Sequence, residues 1–220
     1  KREGAVDVYA FATAAVRSAE NGSAFIDRVK ELCELDVEII SGEEEAEIGI
    51  LGALGEKDGG IIDVGGASTE IIIRAGGTII YKKSVNIGVV RLKDLCGAEK
   101  DRLKAAAEDA VKEYGKVPNG TSMYAIGGTA TTLAALTLNM RDYTPSKITG
   151  TVIGREQMRV LADRLTGMTA AEIARLPGVQ PKRADVLGGG AVLFSVIMDK
   201  LNFPEIIVSD SDNLEGYAKK

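Results

Sequence analysis

An α/β fold is what this sequence predicts, and three observations carry it. Short β-branched runs alternate with stretches of helical period. Three such runs crowd together between residues 61 and 85 and read as a hairpin sheet. Small, glycine-bearing turns stand where strands give way to the next element. In order, 6–12 is a short strand and 13–35 a helix broken near Asn21-Gly22, with Phe25, Val29, Leu32 and Cys33 at helical spacing. A strand over 37–40 follows, and Ser41 opens a helix to about Leu54, weakened at Gly49 and Gly52. The loop 55–60 leads into strands at 61–64, 71–74 and 78–85. Helices at 89–96 and 99–114 end before the turn Pro118-Asn119-Gly120. A strand over 123–126 runs into Gly127-Gly128-Thr129 and a helix through Asn139. Residues 140–154 read as a polar connection, and 155–165 as an amphipathic helix with Met158, Leu161 and Leu165 on one stripe. A short helix at 169–175, a long one at 181–201 and a last strand at 206–208 complete the set.

Composition narrows the chemistry. The chain has 220 residues, 45% hydrophobic and 27% charged, ordinary for a globular protein of one or two domains. Its net charge of −5 argues against a nucleic-acid partner, which wants a basic face. No apolar run approaches the roughly 20 residues of a membrane span. The opening Lys1-Arg2-Glu3-Gly4 has no Met and no signal-peptide pattern, and is read as the start of a fragment. Cys33 and Cys96 form no metal-ligand set, so both are expected as buried thiols in a reducing, cytoplasmic compartment. The chain contains no histidine, which excludes Ser-His-Asp and Cys-His triads and leaves acid–base work to carboxylates, lysine or tyrosine.

Four segments carry candidate chemistry. In Asp63-Val64-Gly65-Gly66-Ala67-Ser68-Thr69-Glu70 the small residues Gly65, Gly66, Ala67 and Ser68 leave backbone amides convergent, a concave anion site. Asp63 and Glu70 flank it, and two carboxylates beside a phosphate suit a divalent cation. The plain alternative is a hairpin turn, which does not by itself require an aspartate inside an apolar strand. In Ser41-Gly42-Glu43-Glu44-Glu45, Ser41 and Glu44 make a capping box, which accounts for the acids locally and leaves Glu45 on another face, available to orient a water. Arg17, one turn into the helix after Ala12-Thr13-Ala14, is either a phosphate clamp or a surface arginine. Gly127-Gly128-Thr129 repeats the strand–glycine–helix pattern, where glycine also serves close packing. Gly188-Gly189-Gly190 reads as helix packing, and Gly88 and Arg91 as neighbours of the same cleft.

These segments, in this order, resemble the exopolyphosphatase/guanosine pentaphosphate phosphohydrolase (Ppx/GppA) family of the sugar kinase–Hsp70–actin superfamily. The likeness rests on residues 12–17, 40–46, 62–70 and 127–129, with Leu176-Pro177-Gly178 and Arg183-Ala184-Asp185 after them. It implies two ribonuclease-H-like lobes with mixed sheets and flanking helices, residues 1–48 forming the back half of the first and 49–220 the second. It implies hydrolysis of a terminal phosphoryl group from polyphosphate or guanosine pentaphosphate. By motif position Glu45 is the expected base, Asp63 and Glu70 the Mg²⁺ (or Mn²⁺) carboxylates, and Arg17 with residues 65–68 and 127–129 the phosphate contacts. The sequence departs from the family at Ala67, where a third glycine is common, and near Asp212-Asn213-Leu214-Glu215-Gly216, which lacks an arginine. Nothing matches the family's first phosphate loop, so this chain alone is expected to be weak or inactive unless the missing segment is supplied. A kinase of the same superfamily, a non-hydrolysing alarmone binder and a lobe serving a homodimer remain the alternatives.

Overall fold

The β-branched runs become strands, and one glycine, Gly22, decides where the first helical stretch turns. The computed structural model describes Gly4 and residues 7–220. The chain divides into two compact units, Lys1–Ile48 and Gly49–Lys220. In the first, β1 (Ala10–Ala12) pairs in parallel with β2 (Val37–Ile39), Ala10 opposite Val37 and Ala12 opposite Ile39. The chain between them forms α1 (Ala14–Arg17) and α2 (Gly22–Cys33), broken at Asn21-Gly22 as expected. A Cβ at Gly22 would run into the Val16 carbonyl, so only glycine allows that turn. The strand expected over 6–12 is shorter. Residues 7–9 take no strand pairing, and Val6 lies outside the described residues.

The stripe of α2 forms as its spacing predicts but is left open, and one expectation about it is overturned. Phe25 and Leu32 share a helical stripe but stand 51% and 66% exposed, because a two-stranded sheet offers too little surface to cover it. Cys33, expected to be a buried thiol, is exposed at the end of α2, while Cys96 is buried. The next helix, α3 (Gly42–Leu54), begins as the capping box predicts. The Glu44 amide donates to Ser41 Oγ at 3.1 Å, and the Ser41 amide donates to Glu44 Oε2 at 3.0 Å.

The second unit is built on six strands in the order β5-β4-β3-β6-β8-β7. The hairpins β3 (Gly59–Val64), β4 (Thr69–Ala75) and β5 (Thr78–Val85) are antiparallel, β6 (Met123–Ile126) adds to β3 in parallel, and β8 (Glu205–Val208) to β6 in parallel. The edge strand β7 (Val152–Gly154) runs antiparallel to β8. Ile62, Val64, Ile71 and Ile73 alternate onto one face and enter the main core. That core also takes in α4 (Val89–Cys96), α5 (Lys100–Val111), α6 (Gly127–Thr137) and the central helix α10 (Ala184–Lys200). Helix α10 is apolar on nearly every side, with Leu187, Ala191, Phe194 and Ile197 buried, as befits a helix enclosed by neighbours. Gly190 belongs to packing, as its sequence suggested: a Cβ there would sit 2.5 Å from Thr129 Cγ2.

The polar connection expected over 140–154 is corrected. It holds a short helix, α7 (Pro145–Ile148), and the strand β7. Ile148 and Ile153 are fully buried there, so the segment is part of the core rather than a surface link. α8 (Arg155–Thr166) and α9 (Ala170–Ile173) follow, α9 opening on a Thr169–Glu172 capping box. The helix expected over 99–114 ends at Val111 and tightens to a 3₁₀ turn through Tyr114. A last helix, α11 (Asn213–Lys219), was not expected, and Asp212 and Glu215 cap it reciprocally. No helix among the described residues is long and apolar enough to cross a membrane.

Candidate functional site

The glycine loop and the Gly127-Gly128-Thr129 turn lie side by side because their strands do. β3 and β6 run in parallel with Asp63 opposite Ile126, so both chains leave the sheet at the same edge. The carboxyl ends of parallel strands are where α/β sheets receive ligands. Residues 65–68 do form a hairpin turn, closed by the Gly65 amide donating to Ser68 O at 3.0 Å. The turn is also pinned from outside. Gly65 O accepts from the Val89 amide at 2.9 Å, and Gly66 O accepts from Val90 at 2.9 Å and Arg91 at 3.2 Å. These are the orphan donors of the first turn of α4. The loop's carbonyls are thereby committed to α4, while the Gly66, Ala67 and Ser68 amides take no backbone acceptor among the described residues. Gly66 and Ala67 are exposed.

Gly88 makes this contact feasible. A Cβ at Gly88 would lie 2.5 Å from Gly65 O and from Gly66 C and O, all backbone atoms. The Arg91 side chain, expected to face the cleft, is exposed, and its amide carries the contact.

Asp63 and Glu70 are directly opposed partners across the β3–β4 ladder, so their side chains share one face. Two carboxylates facing each other repel, and a divalent cation relieves that repulsion. Glu70 Oε1 accepts from Ser84 Oγ at 2.6 Å. Asp63 leans over Gly127: a Cβ on Gly127, whose φ is +81°, would lie 2.8 Å from Asp63 Oδ1. Glycine therefore serves both the backbone angle and the carboxylate's position. The start of β4 is held rigidly. Thr69 Oγ1 donates to Ile87 O at 2.6 Å, and Tyr114 Oη donates to Thr69 O at 2.8 Å. Burial pushes the Tyr114 phenol well above its ordinary pKa, so it remains a donor. Among the described residues no cluster of three or more His, Cys, Asp or Glu side chains is placed to hold a metal. A two-carboxylate set suits Mg²⁺, which keeps waters and completes its shell with substrate phosphates.

Arg183 is the residue that sequence reasoning placed only in a late segment. Its guanidinium lies against the Gly128 backbone, donating to Gly128 O and, at 3.3 Å, to Thr132 Oγ1. It occupies the space a Cβ on Gly128 would need, so Gly128 is the reason the arginine can lie flat there. Thr129 Oγ1 donates to Val64 O at 3.3 Å and ties the two turns together. The result is a concavity of about 200 Å³ whose lining includes Gly65, Gly66, Gly128, Thr129 and Arg183. Among the described residues Arg183 is the only charged one in the lining, so the hollow favours an anion.

In the first unit the structure joins two other candidates. Arg17 Nη1 donates to Ile40 O at 2.7 Å and to Glu45 Oε2 at 3.2 Å, and Nη2 reaches the same oxygen at 3.3 Å. Arg17, read as a phosphate clamp, thus orients the Glu45 carboxylate. Both side chains remain partly exposed, at 32% and 23%.

Three comparisons bear on what this arrangement serves. The family described as the Ppx/GppA phosphatase family matches residues 3–218. Exopolyphosphatase 2 of Mycobacterium tuberculosis is 29% identical over 94% of this chain and 72% of its own. A guanosine-5′-triphosphate,3′-diphosphate pyrophosphatase of Photobacterium profundum is 27% identical over 94% of this chain and 43% of its own. The crystal structure of the Aquifex aeolicus Ppx/GppA family member superposes with a TM-score of 0.83 at 31% identity, covering 96% of this chain and 72% of that one.

Proposed function

We infer the function from one premise: the chain belongs to the Ppx/GppA phosphatase family. Its fold is the actin-like ATPase fold of its structural relatives, and its activity is that of a phosphohydrolase. The finer reading is that it removes a terminal phosphoryl group from polyphosphate or guanosine pentaphosphate by attack of water. The observation that supports this best is the concavity between the two glycine turns, with Arg183 as its cation.

In this mechanism the amides of Gly66, Ala67 and Ser68 receive the terminal phosphoryl oxygens, and Arg183 offsets their charge. Preorganised donors of this kind supply most of the stabilisation in phosphoryl transfer. Thr129 and Gly128 hold the second turn against the first, so the oxygens meet fixed dipoles. By its place in the family's motif, and not by a contact with this concavity, Glu45, held by Arg17, is assigned the task of positioning the attacking water and drawing on its proton. Asp63 and Glu70 are the residues that would hold a divalent cation, Mg²⁺ or Mn²⁺, which when bound would supply Lewis-acid neutralisation of phosphoryl charge. Water as acceptor separates this reading from a kinase of the superfamily.

Asp63→Asn tests the carboxylate pair. It removes one charge and keeps the shape beside Gly127. The Mg²⁺ concentration giving half-maximal phosphate release should rise by about tenfold or more, in line with losing a charged ligand contact. Chelation by EDTA should abolish release by the parent chain, and added Mg²⁺ should restore it. Equal release in EDTA and in Mg²⁺ would contradict the assignment.

A further inference from the structure

An apolar pocket next to the anion concavity has no role in the mechanism above. Its volume is about 240 Å³, and it lies among α4, α5, α8, α9 and α10. Val89 and Val186 line both hollows, so the two share a wall. Part of the pocket surface is bare backbone from Gly97, Gly188 and Gly189, and Leu165 and Ile173 supply apolar surface. At its edge Lys93 Nζ donates to Asp185 Oδ2. Both side chains are more than two-fifths exposed, at 44% and 43%. The hydrogen bond and charge of Lys93 hold the Asp185 carboxyl below its ordinary pKa, so it stays an acceptor.

A glycine-walled apolar slot with a carboxylate and an ammonium side by side at its rim fits a planar ring with a matching edge. Guanine has that edge: N1–H and the N2 amino group donate in parallel to a carboxylate, and O6 beside them accepts from an ammonium. Polyphosphate carries no apolar surface and gains nothing from such a slot. The two hollows are also neighbours along the chain. Arg183, on the anion concavity, precedes Asp185 by two residues, and Val89 on the shared wall lies one helical turn, about 5.4 Å, from Lys93. Exposed ion pairs hold weakly, so a base can part Lys93 from Asp185 and engage both.

We propose that this slot receives the guanine base of a guanosine polyphosphate whose terminal phosphates occupy the glycine-loop concavity. The proposal rests on the phosphohydrolase reading and deepens it, making guanosine pentaphosphate the preferred substrate over polyphosphate. Asp185→Asn tests it by changing the partner. An asparagine amide donates where the carboxylate accepted, and so matches the C2 carbonyl of xanthine in place of the amino group of guanine. Binding of guanosine pentaphosphate, its xanthosine counterpart and inorganic tripolyphosphate is measured calorimetrically on the 220-residue chain and the variant. The parent is expected to prefer the guanosine compound by about tenfold or more, and Asp185→Asn to reverse the order. An identical guanosine-to-xanthosine ratio in parent and variant overturns the slot. If the parent binds tripolyphosphate while that ratio stays fixed, the phosphate concavity stands and the slot alone fails. If the parent binds none of the three, the phosphohydrolase reading fails and the slot with it.

Discussion

Glu45→Gln is expected to lower phosphate release by about 10²–10⁴-fold while the protein remains folded. Glutamine keeps the shape of the side chain and one oxygen for Arg17, whose guanidinium reaches Glu45 Oε2 through both Nη1 and Nη2. It cannot accept the proton that water must lose. Loss of the ion pair itself matters little to stability. The partners are 32% and 23% exposed, and such pairs contribute about 0–1 kcal/mol. Initial rates of phosphate release, read beside a thermal melt, separate the two effects. A variant that melts like the parent and releases phosphate as fast would remove Glu45 from the mechanism.

Gly88→Ala is expected to damage the site through packing alone. The backbone of Gly88 is extended, with φ −146° and ψ 177°, so alanine meets no conformational barrier there. What it meets is the backbone of Gly65 and Gly66 at 2.5 Å. Either the loop or α4 has to move, and the hydrogen bonds from Val89, Val90 and Arg91 lengthen with it. Overpacking of this kind costs about 1–3 kcal/mol. At this chain length each kcal/mol lowers the melting temperature by roughly 2–4 °C. Gly154→Ala is the matched control, because a Cβ there meets nothing within 4 Å and φ is −72°. Its melting point should stay within about 2 °C of the parent's, a shift of roughly 0.5 kcal/mol. Phosphate binding by Gly88→Ala equal to that of the control would show that the loop does not depend on this contact.

The parts of the fold that were legible in the sequence are those set locally. Ile61-Ile62-Asp63-Val64 and Ile71-Ile72-Ile73 flank a small-residue turn, and both strands and the turn stand where that pattern puts them. The break at Asn21-Gly22 and the Ser41–Glu44 cap are equally local. The strand β7 was missed because only three residues pair, and their partners Glu205, Ile206 and Ile207 lie some fifty residues on. Cys33 was misplaced for a similar reason, since helical spacing says which residues share a face and not whether anything covers it, and Phe25 and Leu32 on the same helix stand exposed too. The helix α11 did carry a signal, the Asp212…Glu215 capping pair.

The candidate site divides the same way. The opposition of Asp63 and Glu70 follows from a four-residue turn between paired strands, which a local reading can reach. Arg183 could not be placed so, because its partner Gly128 is 55 residues away and the contact exists only through the packing of α10 on α6. Its position just after Pro181-Lys182, at the start of a long helix, was the available hint. The bare backbone of Gly128 shows where its guanidinium must lie.

The most direct test of the phosphohydrolase reading is the fate of water oxygen. Guanosine pentaphosphate and polyphosphate are each incubated with the protein and Mg²⁺ in ¹⁸O-enriched water, and the products are resolved by ³¹P NMR. Attack by water predicts orthophosphate carrying one ¹⁸O per phosphoryl group released, together with a substrate shortened by one phosphate. A phosphoryl group recovered on an organic acceptor, or orthophosphate released without ¹⁸O, would contradict it.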